Sequence, residues 1–308
     1  MGPQVDAICV RCRDSHDQIK GLHDKARAVH EELGPSGADY FITQCVKKVQ
    51  RGLVDNSSAI SAFETEEKIY LKKKLNAIEL SHQGRDALTD KAQMSPKVQM
   101  LINFLREEDS KDFSGLVFVK TRAEVAVLSH LLSDQIPSFQ ISTFVGASSF
   151  SGRKAAISEL VDVKNQKTTL DDLRHGRKNL IVTTNALEEG IDVSRCKLVV
   201  CFDRPPNLKS FIQRRGRARK SDSKFVIMFE DGSPAEFTAT WTALEAEMRE
   251  IYMDEMRQLQ EIQDEEDSLE DVPPEQKPLI VKSTGYFFRW PPAILYITYV
   301  AQGKTYTR

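Results

Sequence analysis

A chain of 308 residues, 40% of them hydrophobic, carries enough apolar material for one full α/β core and a smaller helical unit beside it. Its formal net charge of −2, with 29% charged residues, excludes a uniformly basic nucleic-acid coat, so phosphate binding has to come from local clustering. Cys9, Cys12, Cys45, Cys196 and Cys201 form no dense framework, and the opening MGPQVDAICV lacks the basic start and long apolar run of a secretory signal. A reducing compartment is expected, cytoplasmic or else nuclear.

From Ser15 to about Ser81 the pattern is helical, and residues 1–81 are expected to form a helical domain. Leu22, Ala26, Val29 and Leu33 fall near one helix face, GPSG breaks the period, and ADYFITQCVKKVQRGLV resumes it. Cys9, Cys12, Cys45 and His16 complete no zinc spacing, so no metal site is expected. The polar stretch SHQGRDALTDKAQMSP suggests a linker over 82–94.

Beyond it, helices and strands alternate. SPKVQMLINFLREE is an amphipathic helix opened by Ser95 and Pro96, GLVFVK a strand, and TRAEVAVLSHLLSD a helix begun by Thr121. FQISTFVG, NLIVTT, CKLVVCF and KFVIMFE are further strands, with TLDDLRHG closing a helix between the first two. Short continuous runs of Val, Ile and Phe separated by helices are what a parallel sheet covered on both faces requires. The expected fold is an α/β sandwich over 95–232, followed by a long helix over 233–263 and an acidic, proline-containing linker over 264–280. In the tail, 281–308, WPPAILYITYVA is too short for a membrane helix, so no membrane partner is expected.

Two stretches carry chemistry. In NLIVTTNALEEGIDV a strand ends in Thr183 and Thr184, and Gly190 lets the chain turn before Asp192 emerges at the carboxyl edge of the sheet, where open α/β sheets bind ligands. Taken alone, strand-end threonines and a turn glycine are ordinary structural choices. In CFDRPPNLKSFIQRRGRAR a helix exit delivers Gln213, Arg214, Arg215, Arg217 and Arg219 around Gly216, where a bend and a close backbone approach are expected. Arginine presents a planar fork matched to phosphate oxygens, and one set across a cleft can stabilise charge in phosphoryl transfer.

TTNALEEGID followed by QRRGRAR resembles motifs V and VI of superfamily 2 RNA helicases, in the order and strand context of their second RecA-like domain. GLVFVKTRAEVAVL resembles motif IV, STFVGASS the next strand with its phosphate-contacting loop, and SPKVQMLINFL the opening helix. HEELGPSGADYFITQCVKKVQ resembles the helical insertion of the Dicer and innate-immune RNA-sensor branch, while LEEGIDVSRCKLVVCFDRP and RRGRARKSDSKFVIM resemble fungal Dicer-like proteins. The resemblance spans roughly residues 10–270.

It implies a RecA-like fold in which Lys120, Thr121, Gly146 and Thr184 face an RNA backbone and Gly190, Asp192 and Gly216 lie at ATP. It also implies that Arg217 and Arg219, with Gln213, serve the ATP phosphates; QRRGRAR is one residue shorter than the form in many relatives and leaves open which arginine is the finger. No G-x-x-x-x-G-K-[ST] loop and no D-E-x-H or D-E-x-D box on a buried strand is read in these residues: QGKTYT has Thr298 where the loop's first glycine belongs, and DEED at 264–267 ends a long charged helix and reads as a solvated run. ATP and Mg are therefore expected only with a first RecA-like domain, and this chain alone is expected not to hydrolyse ATP. LIVKSTG resembles the start of a small dimerisation-type domain, but the similarity stops at Gly285, so either a truncated product or a gene model that reads through an intron is expected, in which case 286–308 would have no folded role. The implied partners are double-stranded RNA, in RNA silencing, and the parent's first motor domain. The rival is a stand-alone RNA-binding or partner-docking module whose arginines only grip phosphate.

Overall fold

The computed structural model describes residues 3–55, 65–76, 93–108, 113–146, 158–161, 166–188, 196–218 and 223–229, some helical positions over 240–250, and strand backbone at 294–301 and 304–307. The expected helical face of α1 (Pro3–Leu33) is present, with Leu22, Ala26, Val29 and Leu33 all buried. They meet Phe41, Cys45, Val46 and Val49 of α2 (Pro35–Asp55) in one apolar cluster. Helix α3 (Thr65–Asn76) lies against both.

The break between α1 and α2 is built on Gly34, whose φ of +95° suits glycine alone, and Pro35 then opens α2 with its preset φ. Space demands glycine as well: a Cβ there would lie 2.5 Å from the Gln93 carbonyl oxygen and 2.7 Å from the Ser95 nitrogen. At this corner the Ser95 amide donates to the Leu33 carbonyl at 3.1 Å and its hydroxyl to the Glu32 carbonyl at 2.7 Å. The Ser36 hydroxyl donates to the Gln93 carbonyl at 3.1 Å. Ser95 also caps α4 (Pro96–Glu107), as expected, accepting from the Val98 amide at 3.3 Å.

The sheet order is β2-β3-β1-β4-β5-β6-β7, from β1 (Gly115–Phe118), β2 (Ile141–Phe144), β3 (Leu180–Thr183), β4 (Leu198–Cys201), β5 (Lys224–Phe229), β6 (Ile294–Ala301) and β7 (Lys304–Thr307). All pairs are parallel except β6 with β7. Side chains alternate between two cores, which is why the strands read as unbroken apolar runs. Val117, Val182, Val200 and Val226 face α4 and α5 (Arg122–Gln135), where the cluster is continuous with α1 and α2. Phe118, Ile181, Cys201 and Ile227 face Leu173 of α6 (Gln166–Arg174) and Phe211 of α7 (Leu208–Arg215). The helical unit thus shares its core with the α/β layer; of the expected linker, Met94 is buried, and 82–92 lie outside the described residues.

One expectation changes. The tail, expected to have no folded role, supplies β6, parallel to β5 from Lys224↔Ile294 to Phe229↔Tyr299, and β7. Its Ile, Tyr, Thr and Val residues suit a pleated strand, and β5 would otherwise present unpaired backbone. Lys304 and Thr305 of QGKTYT open strand β7. Of the long helix expected over 233–263, positions between 240 and 250 are described in part and are helical, with Trp241 against Phe211 at a 5.3 Å centroid separation.

Gly34→Ala is expected to cost at least about 2 kcal/mol in a denaturant titration of the full chain, because backbone strain and a clash with residues 93–95 add. Gly176, with a φ of +72° and open space around its α-carbon, provides the comparison. Gly176→Ala is expected to cost only about 1 kcal/mol from strain alone; equal losses would show that the close approach at Gly34 contributes nothing.

Candidate functional site

Parallel strands deliver their following loops to a single edge of the sheet. β1 leads to Lys120 and Thr121, β2 to Gly146, β3 to Thr184 and Glu188, and β4 to Asp203 and then α7. Two polar clusters form there.

The first surrounds Thr121, the N-cap of α5, in a complete capping box. Its hydroxyl accepts from the Glu124 amide at 3.2 Å and lies 2.9 Å from Glu124 Oε1, to which it donates. Glu124 Oε2 accepts from the amides of Thr121 at 3.2 Å and Lys120 at 2.9 Å. The Lys120 amide is shared, for it lies 2.7 Å from Asp203 Oδ2. Burial, and then the Asp203 charge beside it, raise the Glu124 carboxyl to about 7, against those hydrogen bonds. Lys97 Nζ reaches Asp203 Oδ1 at 3.2 Å and Glu32 Oε2 at 2.6 Å, and lies 4.4 Å from the centre of the Phe202 ring.

The second cluster is held by Glu188, after a short 3-10 turn at Asn185–Leu187. Arg214 Nε donates to Glu188 Oε1 at 2.7 Å and the Ser210 hydroxyl to Oε2 at 3.0 Å. An Arg217 guanidinium nitrogen donates to the Glu188 carbonyl at 2.7 Å. Arg214 also reaches the Asp203 carbonyl at 3.4 Å and covers the Phe118 ring at 4.9 Å. Both arginines are buried, with 4% and 7% of their surface exposed. Burial pushes the neighbouring Cys201 thiol up to about 12, which makes it an inert packing group.

Of the residues expected from sequence, Lys120, Thr121, Gly146, Thr184, Gln213, Gly216 and Arg217 lie on this edge, while Gly190, Asp192 and Arg219 lie outside the described residues. Gly146 sits beside the β3 loop, where an added Cβ would be 3.4 Å from that of Ala186, and Arg122 donates to its carbonyl. Thr184 is buried, with its carbonyl taken by the Thr183 hydroxyl at 3.0 Å. The bend expected at Gly216 is absent: its φ of −62° is helical, and the amides of Arg217 and Ala218 bond the carbonyls of Arg214 and Arg215 at 3.0 Å. These i to i+3 bonds carry the turn on to Ala218 and aim Arg217 back at β3. Sequence reasoning missed Lys97, Glu124, Glu188 and Asp203. Only Glu124, three residues after a capping threonine, carried a local signal. Among the described residues, no three potential ligands gather as a metal site and no helix is long and apolar enough to cross a membrane.

Residues 96–221 match the helicase conserved C-terminal domain family. The chain carries a helicase C-terminal domain, and it is similar to fungal Dicer-like proteins. It is 42% identical over 286 residues to Dicer-like protein 2 of Aspergillus oryzae, covering 92% of this chain and 20% of that protein. With Dicer-like protein 2 of Neosartorya fischeri it shares 42% identity over 279 residues, 89% of this chain and again 20% of the relative. The chain therefore spans about a fifth of the length of these curated relatives. Among solved structures, the Pyrococcus furiosus Hef helicase domain is 22% identical with a TM-score of 0.40, over 72% of this chain and 42% of that one.

Arg214→Ala would strand the buried Glu188 carboxylate and is expected to cost about 3–5 kcal/mol in denaturant unfolding. Replacing both partners, Arg214→Met with Glu188→Leu, is expected to recover part of that loss. Glu124 sets a second expectation. Its folded value, about 7, lies above the ordinary 4.5, so the unfolded chain gives up this proton first. Stability from this group is full below the unfolded value and falls as pH rises through about 7. Unfolding titrations across that window should show the decline in the wild type and a flatter profile in Glu124→Gln.

Proposed function

We propose that this chain supplies the second motor half of an ATP-dependent double-stranded RNA helicase of Dicer-like type, acting in RNA silencing. The observation that carries the proposal is the fixing of Arg217 by the Glu188 carbonyl on the edge that also presents Lys120 and Thr121. ATP and Mg would be held by a first RecA-like domain, and phosphoryl transfer from ATP to water would supply the free energy. The residues of this chain orient and stabilise. A guanidinium held in one plane needs no reorganisation as charge develops on a transferring phosphoryl group. Arg217, with Gln213 and Arg219, has that role, and Asp192 with Gly190 and Gly216 borders the nucleotide. Arg214 is committed to Glu188 and holds the scaffold.

Lys120, Gly146 and Thr184 approach the RNA backbone with Thr121, in keeping with recognition of A-form duplex by shape and phosphate. The Thr121 hydroxyl proton is engaged by Glu124, so the exposed Lys120 side chain is the charged contact of that pair.

The test assembles this chain with a first motor domain and measures RNA-stimulated ATP turnover. Arg217→Ala is expected to lower turnover about 10³-fold, as loss of an arginine finger does, while nucleotide-free RNA affinity changes less than about twofold. Arg217→Lys, which keeps the charge and loses the fork, should fall between, with melting curves confirming that both variants fold. Preserved turnover with a marked loss of RNA affinity would overturn the assignment and favour a plain phosphate grip.

A further inference from the structure

The two faces of the sheet have separate cores, and Asp203, two residues beyond β4, joins the polar groups of both around the strand ends. Its carboxylate takes Lys97 Nζ at 3.2 Å through Oδ1 and the Lys120 amide at 2.7 Å through Oδ2. Its backbone carbonyl takes Arg214 at 3.4 Å. From Lys97 the path continues to Glu32 on α1 at 2.6 Å, and from Arg214 through Glu188 to Arg217. One connected polar path therefore runs from the helical unit, past the Lys120–Thr121 loop, to the arginine cluster.

Lys97 is the least expected member. It stands in the first turn of an amphipathic helix, where a lysine ordinarily points into water, yet its side chain is only 7% exposed. A buried ammonium is costly, and a flexible apolar chain of similar size would fill the space beside Phe202 as well. What the charge adds is direction, since it fixes the Asp203 rotamer and so keeps Oδ2 on the Lys120 amide.

We propose that Lys97 is a positioning residue that holds the Lys120–Thr121 loop and the Arg214–Glu188–Arg217 cluster in one shared geometry through Asp203, with Glu32 tying that geometry to α1. The inference rests on the reading in which these loops face RNA and ATP. RNA engaged at the first loop then changes the setting of the arginines, and any displacement of α1 relative to α4 weakens both.

Amide hydrogen exchange on the full 308-residue chain tests the geometry. Lys97→Met is expected to speed exchange of the Lys120, Arg217 and Ala218 amides at least about tenfold while the β1 and β4 amides hold, and Lys97→Arg to restore protection. Unchanged exchange at Lys120, or a uniform rise that includes the strands, would overturn the proposal. Should Lys97→Met fail to fold, Asp203→Asn, which keeps one carbonyl acceptor and loses the charge, is expected to give the same selective rise. In the assembled motor, Lys97→Met should lower RNA-stimulated turnover about tenfold more than RNA-independent turnover, with Lys97→Arg restoring both; equal losses in both would overturn the coupling. A wild-type assembly without RNA-stimulated turnover would refute the helicase reading, whereas the exchange result judges the Lys97 geometry independently.

Discussion

The four-residue strands β1, β3 and β4, buried on both faces, leave the middle of the sheet no polar surface except at its ends. Everything charged in this domain that is not on the outside of a helix must collect there, and because the ends are themselves covered by loops, each charge needs a partner. Glu188 with Arg214 and Asp203 with Lys97 are the result. The same pairing that makes burial tolerable also holds the surrounding loops in place, so the stability of the edge and the arrangement of its arginines have one physical origin.

How far the sequence revealed this depends on the separation of the interacting residues. The α1 face, the caps at Ser95 and Thr121 and the strands β1 to β5 are local patterns, since period, cap chemistry and continuous β-branched runs each lie within about a dozen residues. Lys97 meets partners 65 and 106 positions away, and Arg214 meets Glu188 across 26. No local pattern encodes such meetings. The tail was unreadable for a related reason: an aromatic, β-branched run becomes a strand only if an open edge awaits it, and that edge belongs to β5.

The helical unit is also less separate than its composition suggests. Its apolar stripe does not close on itself but continues into the face of α5, and Gly34 lets the corner between α1 and α2 come within backbone contact of residues 93–95. Motion of that unit as a rigid arm would have to break this core, so any movement it makes is transmitted to α4 and α5.

The pairing of β6 with β5 bears on how the chain is made. Five strands are complete once residue 229 has left the ribosome, but the sixth begins at 294. Until that later segment is synthesised, β5 is an uncapped parallel edge, open to any extended peptide nearby. Bringing Ile294 back to Lys224 of β5 across the intervening 230–293 adds a slow, non-local step to assembly. Nascent chains of this domain therefore pass through an interval in which the β5 edge has no partner strand, and its length is set by the rate of translation.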